Sequence, residues 1–241
     1  MTKLSDAIQS ARRRGGRPIG FGLDSSIDKK PQRGLLIAAI GSERNGADVH
    51  LLPSADDIAD AVGTADDAPV GIASDTLSKQ VVDDADGAGA VFVVFNPSTT
   101  NADALLSESL EYGVRIGADT TDETELRALG SLHPVIVVTD AVPDPLPVRD
   151  LLALRRLAML VSAPLAVPVA AGASQTHLQS LRDSGVAVLL LDSPSAEDVE
   201  ALREEVASIP EVSRKGRREA APVVPSLGSA PDEDFDDRLE S

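Results

Sequence analysis

The chain has no cysteine and no tryptophan, and only one tyrosine and four phenylalanines among 241 residues. Without cysteine there are no disulfides, no thiolate metal ligands and no thiol nucleophile, which suits a reducing, cytoplasmic compartment. With aromatics at 2%, the rings that stack bases or sugars are scarce, and a core has to be built from Val, Leu, Ile and Ala. Positive charge is short as well: 22 Lys and Arg stand against 39 Asp and Glu, a net charge of -17. A surface of that sign repels nucleic acid and anionic lipid, so neither is an expected partner. The N-terminal stretch MTKLSDAIQSARRRGG lacks the apolar segment of a secretory signal. The longest uncharged apolar run, Leu157 to Ala173, is interrupted by Pro164 and Pro168 and falls short of the ~20 residues that cross a bilayer. The spacings of a P-loop, an HExxH zinc helix, a GxSxG elbow, an EF-hand and a dinucleotide-binding GxGxxG are all missing.

What is present is a repeating pattern. Eight Val/Ile/Leu-rich runs follow one another: LLIAAI (35–40), VHLLP (49–53), PVGIAS (69–74), VFVVFN (91–96), VRIGAD (114–119), PVIVVTD (134–140), PLAVPV (164–169) and VAVLLLD (186–192). Most are continuously apolar, as in parallel strands covered on both faces. Most start about 20 to 23 residues after the one before, room for a strand, a helix and two loops. The clearest intervening helix is 147–161, with Pro147 at its first turn and Leu151, Leu154, Ala158 and Val161 on one stripe. The pattern predicts an α/β (β/α)8 TIM-type barrel; an open doubly wound parallel sheet is the alternative. The first unit is irregular, because only GSERNGA (41–47) separates two runs, fewer residues than a parallel crossover usually takes. That leaves a reduced first helix or an antiparallel hairpin. Upstream lie a helix (4–14) and PIGFG (18–22), an extra extended segment or a true first strand.

Three regions are expected: 1–33 capping the barrel, 34–210 the barrel itself, and 211–241 a tail. The tail runs from the basic cluster Arg214, Lys215, Arg217 and Arg218 through a Pro/Ala/Ser linker to an acidic end. Its composition buries too little apolar surface to fold alone, so disorder is expected, with a protein partner as one use for it.

In a barrel, function sits at the C-terminal ends of the strands. There the sequence offers Ser42, Glu43, Ser54, Asp75, Asn96, Asp119, Asp140, Gly172 to Ser174, Asp192 and Ser193, with no Lys, His or Arg. Asp75, Asp119 and Asp140 are candidates for acid/base work or for binding a divalent cation such as Mg²⁺. The competing reading makes these acids and hydroxyls helix N-caps, with Thr120 and Glu123 in capping-box spacing. Asp140 fits that reading least, because the proline-stiffened loop 141–147 follows it. His50 and His133 fall within or before strands, and His177 in the first turn of a helix after the Gly-Ala-Ser turn.

PLAVPVAAGAS (164–174) ends a strand in that turn, and with it the chain resembles the aldolase-type phosphate-binding barrels, flavin-dependent members included. The resemblance spans residues 35–205 at the level of fold. It implies backbone N–H groups at Gly172, Ser174 and Ser193 facing a phosphate or FMN. It also implies a lyase, isomerase or flavin-linked enzyme acting on a small polar or phosphorylated metabolite. The alternative is a non-catalytic barrel that binds a protein partner through its charged tail.

Overall fold

The computed structural model describes residues 2–12, 34–41, 45–54, 56–63, 67–117, 120 and 122–210. Eight strands, all paired in parallel, close into a barrel in sequence order. They are β1 (Leu36–Ile40), β2 (Val49–Leu52), β3 (Val70–Ala73), β4 (Phe92–Phe95), β5 (Glu111–Arg115), β6 (Ile136–Val138), β7 (Leu165–Pro168) and β8 (Val186–Asp192). Helices follow in the order α1 (Leu4–Arg12) before the barrel, α2 (Ile58–Val62), α3 (Lys79–Gly87), α4 (Glu123–Gly130), α5 (Val148–Val161), α6 (Gln175–Asp183) and α7 (Ala196–Ser208). The open doubly wound alternative is thereby excluded, since β8 pairs with β1 over five residues. The segments 13–33, containing PIGFG, and 211–241, the tail, lie outside the described residues.

Each strand alternates its side chains between two cores. Outward residues such as Ile37, Leu52, Ile72, Val93, Val137 and Leu189 pack with Ile58, Val82, Leu126, Leu154, Leu178 and Leu202 of the helices. Inward residues form layers contributed by alternate strands, because a closed eight-stranded barrel steps up about one residue per strand. Four large residues from the even strands, Val49, Phe92, Ile136 and Val188, form one layer; Leu51, Val94, Val138 and Leu190 form another. Between them the odd strands supply Ala38, Gly71, Gly113 and Ala166. Two of these have to be glycine. A Cβ on Gly71 would stand 2.6 Å from the Phe92 ring, and one on Gly113 would stand 2.8 Å from Cγ2 of Ile136. The large-small alternation leaves a wholly apolar cavity of about 10 Å³, about the size of one water molecule and with no polar partner for it.

The N-terminal end of the barrel is sealed by α1. Leu4 and Ile8 are buried against the inward core, and Arg12 donates to the carbonyl of Gly185, just ahead of β8. The free N–H of Ser5, in the first turn of α1, and its hydroxyl both donate to the Glu111 carboxylate. Glu111 thus acts as a charged cap supplied from 106 positions away.

The first two strands are parallel, with Ala38 opposite Val49, so the hairpin alternative is set aside. Among the described residues between them no helix stands, and side-chain contacts hold the connection. Asp48 accepts from the N–H of Ile37 and pairs with Arg203 of α7, and the buried Asn45 side chain bonds Pro194 and Ala47. A 3-10 turn at Ala102–Leu106 stands between β4 and β5. β5 itself is earlier than expected: EYGVR (111–115) replaces VRIGAD (114–119).

Candidate functional site

That shift in β5 changes the mouth of the barrel. Arg115 is inward-facing, two residues above Gly113, so the expectation of a mouth without arginine is corrected. The register of the barrel sets it in one layer with Ile40, Ala73 and Pro168, directly above Leu51, Val94, Val138 and Leu190. Asn96, Asp140 and Asp192 stand at the next inward positions of β4, β6 and β8, and Asp75 two residues beyond β3.

Asp75 is drawn to Arg115: the guanidinium Nη1 lies 3.2 Å from Oδ1 across the end of β4. It caps no helix, since Ser78 caps α3 by accepting from the N–H of Val81. Asp140 is exposed and opens the loop that leads to Pro147. Asn96 turns its Oδ1 to the N–H of Ser98. Asp119, like Ser42 and Glu43, lies outside the described residues. The expected capping box of Thr120 and Glu123 is replaced by Asp122, which accepts from the N–H groups of Thr124 and Glu125. Among the described residues the mouth therefore combines one cation with three carboxylates and an amide, over an apolar floor. Among the described residues no group of three or more His, Asp or Glu stands close enough to hold a metal ion.

Of the residues expected to face a phosphate, Ser174 and Ser193 have partners from the chain itself. Ser174 caps α6, and both its N–H and its hydroxyl donate to Asp144, at 3.2 Å each. Asp144 belongs to the proline-stiffened loop and was not singled out by sequence, because its partner is 30 residues on. Behind it, the His177 imidazole is buried, with Nδ1 3.8 Å from Asp144 Oδ1. Burial lowers the affinity of this ring for a proton, and the attraction of Asp144 partly opposes that. Around Gly172 there is open space. After β8, Ser193 donates its N–H to Ile40 and its hydroxyl to Asp192. The N-terminus of α7 is closed by a capping box of Ser195 and Asp198. The bonds from Ser195 hold the Asp198 carboxyl below its ordinary value. Where the phosphate-binding barrels present bare donors, this chain presents two carboxylates of its own.

The other histidines are remote from the mouth. His50 faces outward from β2, half-buried, and burial lowers its proton affinity. His133 is an exposed turn residue with φ at 51°.

These features define a (β/α)8 TIM-type barrel with a polar mouth. Solved structures with this fold include the tryptophan synthase alpha subunit of Pyrococcus furiosus. A point mutant of that subunit matches with a TM-score of 0.54 at 12% identity, over 71% of this chain and 96% of that one. The alpha subunit in the P. furiosus a2b2 complex gives 0.55 at 13%, over 71% and 95%. Tryptophan synthase from M. tuberculosis gives 0.54 at 10%, over 72% and 91%. No family model and no curated protein matches the chain. Identities this low establish the likeness of fold alone. Among the described residues no helix is long and apolar enough to cross a membrane.

Proposed function

We propose that the mouth binds a small, polar, non-phosphorylated metabolite and acts on it by proton transfer, as a lyase or isomerase does. The observation that carries this reading is the inward-facing Arg115 among Asp75, Asp140 and Asp192. Stability alone gives no reason to point four charged side chains at a barrel axis, and the C-terminal end is where such barrels act. Arg115, oriented by Asp75, would hold an anionic oxygen of the ligand. Asp140 or Asp192 would take a proton from the neighbouring carbon and return it, to a second carbon in an isomerase or to a leaving group in a lyase. A phosphate or FMN fits less well, since Asp144 and Asp198 already take the N–H groups of Ser174 and Ser195 and place negative charge at both helix heads.

Thermal-shift measurements test the reading with two sets of probes. One set holds hydroxy and amino acids; the other holds sugar phosphates and FMN. Stabilisation by the first set alone, lost in Arg115→Ala, supports the proposal. Stabilisation by the phosphorylated set would overturn its substrate class, and silence from both would overturn the site.

A second reading, a barrel that binds a protein and does no chemistry, is favoured by the outer face of α5. Val148, Leu152 and Met159 are exposed there at 72%, 58% and 71%, beside Arg149 and Arg155 in an otherwise acidic chain. That surface suits an acidic partner helix, and the tail remains the other candidate contact. Pull-down with the full chain would compare Leu152→Ser with replacement of Arg214, Lys215, Arg217 and Arg218 by Ser. Loss in only one variant says which surface binds.

A further inference from the structure

One carboxylate in this protein has two claimants. Asp144 accepts from the N–H and the hydroxyl of Ser174 at the head of α6, and it is also the acid beside His177. The His177 side chain is only 3% exposed, and its Nδ1 has no hydrogen-bond partner among the described residues. At 3.8 Å from Asp144 Oδ1 the ring is within ion-pair reach but beyond a hydrogen bond. An unpartnered buried nitrogen carries a cost and calls for an explanation, one being a second state in which it is used.

A proton on the ring supplies that state. The imidazolium is then a buried cation, and a buried charge needs a hydrogen-bonded counterion. Among the described residues, Asp144 is the charged group acting on the ring. On α6 itself, Arg182 and Asp183 pair with each other at the far end of the helix. Shortening the His177–Asp144 distance by about an ångström makes a charge-assisted bond to the same Oδ1 that accepts from the Ser174 hydroxyl, so the two compete for it. Asp144 sits in the loop that begins at Asp140, so the exchange re-seats the segment beside the mouth.

We propose that Ser174, Asp144 and His177 form a proton-operated latch on the loop between β6 and α5. With His177 neutral, Asp144 fastens the loop to the head of α6. With His177 protonated, Asp144 transfers to the ring and frees the Ser174 donors. As a regulator of the mouth, the latch rests on the function proposed above; as a structural exchange it does not.

NMR on the full chain without ligand tests the exchange, following the His177 ring and the Ser174, Val142 and Leu146 amides from pH 8 downward. The expected result is that the amides move with the same midpoint as the ring. The amides should stay flat in His177→Gln, and the ring midpoint should fall further in Asp144→Asn, which removes the attraction. If Ser174 and the loop amides do not move while the ring titrates, or move equally in His177→Gln, the latch is wrong. Because no ligand is present, that failure is distinct from a failure of the mouth to bind a metabolite. With a binding probe in hand, a pH dependence of affinity that disappears in His177→Gln extends the latch to the mouth.

Discussion

The two ends of the barrel use the same alternation of inward side chains to opposite effect. At the N-terminal end the inward charge, Glu111, is consumed by the first turn of α1, and Leu4 and Ile8 cover the rest. At the C-terminal end no helix among the described residues closes over Arg115. Its partner Asp75 keeps 77% of its side chain exposed, and Asp140 and Asp192 face solvent. A carboxylate at the sealed end serves stability, whereas charges at the open end contribute little to it. The difference lies in what covers each end, since both belong to one sheet.

That contrast can be broken most sharply from the middle. Gly71→Val puts a side chain into the Phe92 ring, with its Cβ 2.6 Å from ring carbons; that is tighter than ordinary overpacking, so the cost should exceed the usual ~3 kcal/mol and lower the melting temperature furthest among these variants. At the sealed end, Leu4→Ala should cost about 2–5 kcal/mol by chemical denaturation and leave ligand binding at the mouth unchanged. Glu111→Gln should cost about 1 kcal/mol, because it weakens a cap yet keeps an acceptor. At the open end, Arg115→Ala should cost no more than about 1 kcal/mol, since its pair is solvent-screened, while removing ligand-induced stabilisation. Equal destabilisation by Leu4→Ala and Arg115→Ala would erase the distinction between the ends.

Acid provides a subtler probe. Burial lowers the pKa of both His50 and His177 in the folded protein. The unfolded chain therefore binds protons first as pH falls through the ordinary imidazole range. The stability these rings contribute is fully present above that range and lost on descending from it toward their folded values. Melting temperature should fall over that window, with a shallower slope in His177→Gln. An unchanged slope in that variant and in His50→Gln would show that neither ring carries the effect.

Much of the barrel was legible because parallel strands covered on both faces have to be apolar throughout, and seven of the eight runs overlap their strands closely. β5 was displaced because Glu111 and Gly113 look unlike strand residues. Glu111 is there to cap α1, and Gly113 makes room for Ile136. Misplacing that strand hid Arg115. Asp140 and Asp192 were visible as ends of apolar runs. Asp144 was not, because a cap donated across 30 residues leaves no local spacing to read.

The chain's own order of residues determined eight apolar strands, the helices between most of them and an acidic exterior, since each follows from local period and composition. The tertiary structure alone decided the rest: that the sheet closes on itself, that glycines meet large side chains across it, that Asp75 reaches Arg115, and that Asp144 takes the head of α6. Those contacts join residues far apart in sequence, and only closure of the barrel brings them within bonding distance.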